Sequence, residues 1–261
     1  MHMLTFIKFN AEAEFDIESF LEAATRAVSE HALDISELEK INYHDYIRIM
    51  AEIEWPAFLD GDIDFHEQII RLYNEGLFDK IEETIYNHYD AIYIKDLQDQ
   101  LEASSVIKEG RIPILKEAFL LYHLGYFYGS VTLMMSQIVG IVKDIEDFLI
   151  RNGSSYNPKN EELLSSRYHV TKNSEKGKTI VTLLEGKDLN DEQGEYLYLI
   201  GYFRNKIFSN KLETYDLTSQ VNRHMIFHGE QLTFGSKEQA LKLILCIDSL
   251  CWIAEVLCNK E

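Results

Sequence analysis

The apolar residues of this chain recur with helical spacing almost everywhere. Ile17, Phe20, Leu21, Ala24 and Val28 follow the i, i+3, i+4, i+7, i+11 pattern of one helix face. From about Tyr43 to Leu101 short acidic amphipathic segments rich in Tyr and Ile continue the pattern. They are separated by Pro56, by an interhelical turn at Asp60-Gly61-Asp62, and by Gly76. Nothing there alternates cleanly with period two, and no Asn-Gly or Asp-Gly hairpin signal stands between β-branched runs. These features predict an all-α fold, a helical bundle.

The middle of the chain is the best punctuated. Pro113 suits the first turn of a helix, which runs to Gly125 as a C-terminal stop. A second helix is expected from Tyr126 to Arg151, before Asn152-Gly153. Its apolar positions, including Val131, Met134, Met135, Ile138, Ile141, Val142, Ile145 and Leu149, wrap most of its surface, so it should be central, with the Met pair filling core. Residues 151–178 are polar, carry six Lys/Arg, and read as a surface excursion. Helices are then expected at Thr179–Glu185, Glu192–Phe208 and Leu217–His228, followed by a turn at Gly229–Ser236. The last helix should span Lys237–Leu257, with Ser236 as N-cap and Gln239 as its capping-box partner. The chain thus divides into an N-terminal acidic helical region (1–107) and a second helical domain (108–261).

The formal charge of −19 over 261 residues argues against a general nucleic-acid coat or a basic membrane-surface protein. Its distribution is uneven: from Phe203 to Glu261 seven Lys/Arg balance seven Asp/Glu, so the whole excess lies in residues 1–202. The start lacks a basic segment followed by an apolar run, which predicts a cytoplasmic protein. The most apolar stretch, Ala240–Leu257, is interrupted by Lys242, Asp248 and Glu255 and reads as a buried helix, not a membrane span. Cys246, Cys251 and Cys258 all fall on that helix and read as reduced, core-packing thiols.

Several catalytic motifs are missing from the sequence: GxxxxGK[ST], GxGxxG after a strand, CxxC, GxSxG and HExxH. What remains is Asn222-Arg223-His224-Met225-Ile226-Phe227-His228-Gly229. Histidine can take a proton from a ribose 2′-hydroxyl or give one to a leaving 5′-oxygen, and arginine can hold the scissile phosphate. Arg223 and His228 converge only if the helix ends there or if two chains share the site, and Gly229 supplies an ending. Two other readings stay open: a surface arginine beside a helix-ending histidine, and a zinc site from His224 and His228, which has no evident third ligand. Arg204-Asn205-Lys206 echoes the pattern without a base, and with Asn222 forms a candidate flank for a phosphate backbone.

Arg223-His224-x-x-x-His228, followed by Gly229, a short loop and a long apolar helix, resembles the motif region of HEPN domains, all-helical ribonucleases of toxin–antitoxin, abortive-infection and CRISPR systems. The pair Arg111-Ile112-Pro113 to Gly125 and Ser136-Gln137-Ile138-Val139-Gly140-Ile141 resembles a group of bacterial HEPN-like proteins. The resemblance covers about residues 108–258. It implies a metal-independent endoribonuclease acting through a 2′,3′-cyclic phosphate, with Arg223 binding phosphate, His228 catalytic and His224 in the polar position after the arginine. It further implies RNA (tRNA included) as substrate, a homodimer, no cofactor, and a toxin or phage-defence role with an antitoxin or regulatory partner. The alternative is a catalytically inactive HEPN-fold binding or sensor protein. Glu230 stands where toxins regulated by tyrosine modification have Tyr, so that regulation is not expected; Val139 stands where related proteins often have an acidic residue.

Overall fold

The computed structural model describes residues 37–57, 62–151, 202–207 and 221–258. Among these residues all regular structure is helical, as expected. The helices are α1 (Glu37–Glu52), α2 (Ile63–Asn74), α3 (Phe78–His88), α4 (Ala91–Ala103), α5 (Ile112–His123), α6 (Phe127–Arg151), α7 (Arg223–Phe227) and α8 (Lys237–Cys258). A 3-10 turn at Glu109–Arg111 leads into α5, and a π-helical turn spans Phe203–Ile207. The helices expected at Ile17–Val28 and Thr179–Glu185, and the excursion after Arg151, lie outside the described residues.

Local chemistry sets the helix ends. Asp62 and Asp90 cap α2 and α4, their carboxylates accepting from the amides of Phe65 (3.0 Å), Ile92 (2.8 Å) and Tyr93 (3.0 Å). The helices α2, α5 and α7 stop on Gly76, Gly125 and Gly229, all left-handed. In each, the next amide reaches back to close a Schellman motif: Leu77 to Leu72 O (2.9 Å), Tyr126 to Leu121 O (2.8 Å), Glu230 to Met225 O (2.8 Å). The end of α1 closes identically, Trp55 N–H donating to Met50 O at 2.9 Å, yet its left-handed residue is Glu54, at φ 60°. A side chain in that conformation costs about 1–2 kcal/mol.

The central helix is α6, packed against α5 and α8; α8 also touches α4, while α1, α2 and α3 pack in succession. Val131, Met134, Met135, Ile138, Ile141, Val142 and Ile145 of α6 are all fully buried, as their spacing predicts. Every residue of α8 from Gln239 to Cys251 is buried, the polar Gln239, Lys242, Asp248 and Ser249 included. Its capping box forms: Gln239 N–H donates to Ser236 Oγ (3.1 Å), and Ser236 N–H donates to Gln239 Oε1 (3.2 Å). No helix among the described residues is long and apolar enough to cross a membrane.

Two polar ties organise this core. Arg111 lies over Gly140 and pairs with the fully buried Asp144, through Nε to Oδ2 (2.5 Å) and Nη2 to Oδ1 (3.1 Å), while Nη1 donates to Gln137 Oε1 (3.1 Å). Gln137, Gly140 and Asp144 share one face of α6, so a single arginine clamps the start of α5 to it. The second set crosses residue 107. Tyr93 donates to the Asp248 carboxylate, Lys242 lies 5.1 Å from the Trp55 ring centroid, and Lys237 lies 3.9 Å from that of Tyr86. Buried residues of both regions belong to one continuous core. Tyr86 lies on α3 and Tyr93 on α4, and Tyr89, between the two helices, is wedged edge-on between Phe65 (5.6 Å) and Tyr93 (4.8 Å).

Candidate functional site

The motif sits on α7, only five residues long. A helix this short does not hold itself together, because nucleation outweighs the few bonds it makes. Its two ends hold it instead. Asn222 is extended (φ −116°, ψ 117°) and its Oδ1 accepts the Met225 N–H at 3.0 Å. Its Nδ2 donates to Lys206 O (3.4 Å), and its own N–H donates to Gln231 Oε1 (3.3 Å). At the far end Gly229 turns the chain back, and the amides of Glu230 and Gln231 both donate to Met225 O, at 2.8 and 3.1 Å. The sequence predicts one helix from Leu217 to His228. In the structure Val221 and Asn222 are not helical, because the Asn222 side chain is engaged in capping α7.

Ile226 is buried and anchors α7 to the core, and the chemically capable side chains face outward. Arg223 and His228 are exposed and His224 is half-buried. The rings of His224 and His228, one turn apart, lie with centroids 4.2 Å apart. The Arg223 guanidinium sits over the Phe227 ring at 5.6 Å, a contact that limits where it can swing. Among the described residues no group of three His, Cys, Asp or Glu side chains is arranged to hold a metal.

The residues read as a phosphate flank are placed differently from these three. Asn222 is buried in its capping role, at 9% exposure. Lys206 Nζ donates to Glu54 Oε1 at 2.7 Å and is mostly covered. Arg204 shares the π-helical turn with Lys206, and its side chain lies outside the described residues.

Several neighbours escaped the sequence reading. Lys242 is fully buried on α8, its Nζ donating to Glu238 Oε1 at 2.6 Å. Burial pushes this ammonium below its ordinary range, against the opposing pull of Glu238 and Glu54. Its only trace in the sequence is a charge interrupting an apolar helix. The loop from Glu230 to Ser236 is pinned by Tyr128, which packs against Gly235, meets Phe234 edge-on at 5.1 Å and donates to Leu232 O at 3.3 Å. Nothing marks Tyr128 for this task, 104 residues away from its acceptor.

Comparison with known proteins finds no match: no family model, no curated protein and no solved structure matches this chain.

Proposed function

We propose that this chain is a metal-independent endoribonuclease whose site is built on α7, with Arg223 and His228 as its catalytic residues. The observation that carries this reading is the outward-facing set Arg223, His224 and His228 on a helix fixed at both ends. Transesterification of RNA needs one group to take the 2′-hydroxyl proton, one to protonate the leaving 5′-oxygen, and a cation on the phosphate. The 2′-oxygen attacks phosphorus and the P–O5′ bond breaks, leaving a 2′,3′-cyclic phosphate and a 5′-hydroxyl. In this reading Arg223 holds the phosphate oxygens, His228 performs a proton transfer, and His224 fixes the His228 ring. The charge pattern is compatible, since the motif lies in the electrically neutral part of an acidic chain.

In-line displacement moves protons on opposite sides of the phosphorus, whereas two rings 4.2 Å apart on one helix face address the same side. The second transfer therefore falls to the motif of a second copy, the two meeting at a twofold axis. The resemblance to HEPN ribonucleases supports the same arrangement, and with it a toxin or phage-defence role under the control of an antitoxin or regulatory protein.

The test is incubation of the purified protein with total RNA and with tRNA in EDTA. The wild type should cut, leaving cyclic-phosphate ends, and Arg223→Ala or His228→Ala should abolish cutting without loss of folding. RNA left intact at micromolar protein overturns the enzyme reading. RNA bound but uncut assigns instead a binding or sensor protein on the same scaffold.

A further inference from the structure

Among the described residues, four helices end in the same hydrogen-bonded motif, and three of them place glycine at the left-handed position. The exception is Glu54, at the end of α1. Backbone strain of this kind persists where the side chain is required. The Glu54 carboxylate accepts from Lys206 Nζ at 2.7 Å. The Lys206 carbonyl accepts from Asn222 Nδ2 (3.4 Å), and Asn222 Oδ1 accepts the Met225 N–H (3.0 Å) that begins α7. Asn222 N–H also donates to Gln231 Oε1 (3.3 Å), and Gln231 N–H returns to Met225 O (3.1 Å) at the end of α7. One hydrogen-bonded path thus runs from the end of α1 to both ends of the motif helix.

The surroundings of that path are closely packed. Lys206 sits in a π-helical turn, a geometry associated with functional sites. Trp55, which follows Glu54, packs under the ammonium of Lys242, and Lys242 is paired with Glu238. Two lysines and two glutamates are therefore gathered where the end of α1 meets α8.

We propose that Glu54 is a positioning residue for the α7 site: its carboxylate sets Lys206, and through the Lys206 carbonyl the Asn222 cap, so that Arg223 and His228 are presented in one orientation. The consequence for RNA cleavage rests on the ribonuclease reading above; the consequence for α7 itself does not. The N-terminal region thereby gains a task at the site, although the HEPN resemblance begins only near residue 108.

Glu54→Gly tests this directly, because glycine relieves the backbone strain while deleting the carboxylate. Loss of the tether should speed amide exchange at Met225, Glu230 and Gln231 roughly tenfold, with α8 amides still protected and the melting temperature not lowered. RNA cleavage should lose roughly tenfold in kcat with little change in KM. Glu54→Gln, which keeps an acceptor in place, should restore most of both. Unchanged exchange at α7 in Glu54→Gly overturns the proposal whether or not the wild type cuts RNA. Loss of protection throughout α8 overturns it equally, since Glu54 would then serve the fold as a whole. Exchange that shifts as expected in a wild type that cuts no RNA leaves the positioning intact and removes the ribonuclease reading alone.

Discussion

The Arg111 guanidinium occupies the space where a side chain on Gly140 would stand: a Cβ added there would lie 1.9 Å from Nη1. Gly140→Ala should therefore push the arginine out of its bed and cost about 1–3 kcal/mol, as overpacking of a tight site does. Urea denaturation measures it. An unchanged midpoint would show that Arg111 re-seats freely, contrary to the tight bed described.

Removing the arginine instead leaves Asp144 buried with Lys108, whose ammonium (3.0 Å) and backbone N–H (3.0 Å) both contact its carboxylate. Arg111→Ala should destabilise by about 3 kcal/mol, the lower end for breaking a buried pair, because Lys108 remains. Arg111→Ala with Asp144→Ala should cost clearly less than the sum of the two single changes. Simple additivity in that double-mutant cycle would mean the two groups do not interact.

The same pair sets an acid dependence. Burial pushes the Asp144 carboxyl up, but hydrogen bonds from Arg111 and from Lys108 outweigh it and hold it below the ordinary carboxylate value. A carboxyl with a lower folded than unfolded pKa binds more protons when unfolded, so its stabilisation is complete above about pH 4 and is lost as pH falls through the folded value. Chemical denaturation between about pH 3 and 6 should show the wild type losing stability more steeply below pH 4 than Asp144→Asn. Parallel curves for the two proteins would refute the assignment.

At the start of α8, Ser236→Ala should cost about 1 kcal/mol through loss of the cap. Gln239→Ala should cost more, because Gln239 also donates to Thr233 O at 3.1 Å and so ties down the loop behind the motif. Thermal melts of the two variants compare them. Equal losses would show that the Thr233 contact contributes nothing.

The elements most legible in the sequence are those whose ends are coded locally. Pro113 and Gly125 bracket α5, Ser236 and Gln239 open α8, and Gly229 closes α7, each through chemistry within a few residues of the boundary. The end of α1 is not legible, because Glu54 stands where a glycine would have announced it. The helix expected over Leu217–His228 does not run through Val221 and Asn222, since Asn222 reads in the sequence as a flank of the site when its side chain caps α7. Arg223, His224 and His228 can be picked out by residue type; the structure leaves Arg223 and His228 exposed and brings the centroids of the two histidine rings within 4.2 Å. Their supports cannot: Glu54 and Lys206 are 152 positions apart, Arg111 and Asp144 33, and no local pattern encodes a pairing over such distances.

Lys242 and Asp248 interrupt the most apolar helix of the chain, and each is met by a side chain from before residue 107, Trp55 and Tyr93 respectively. A version of this protein beginning near residue 108 would keep both charges and lose both of these contacts. Shortened forms should then carry uncharged residues at these two places. Engineered fragments should be designed with that dependence in view.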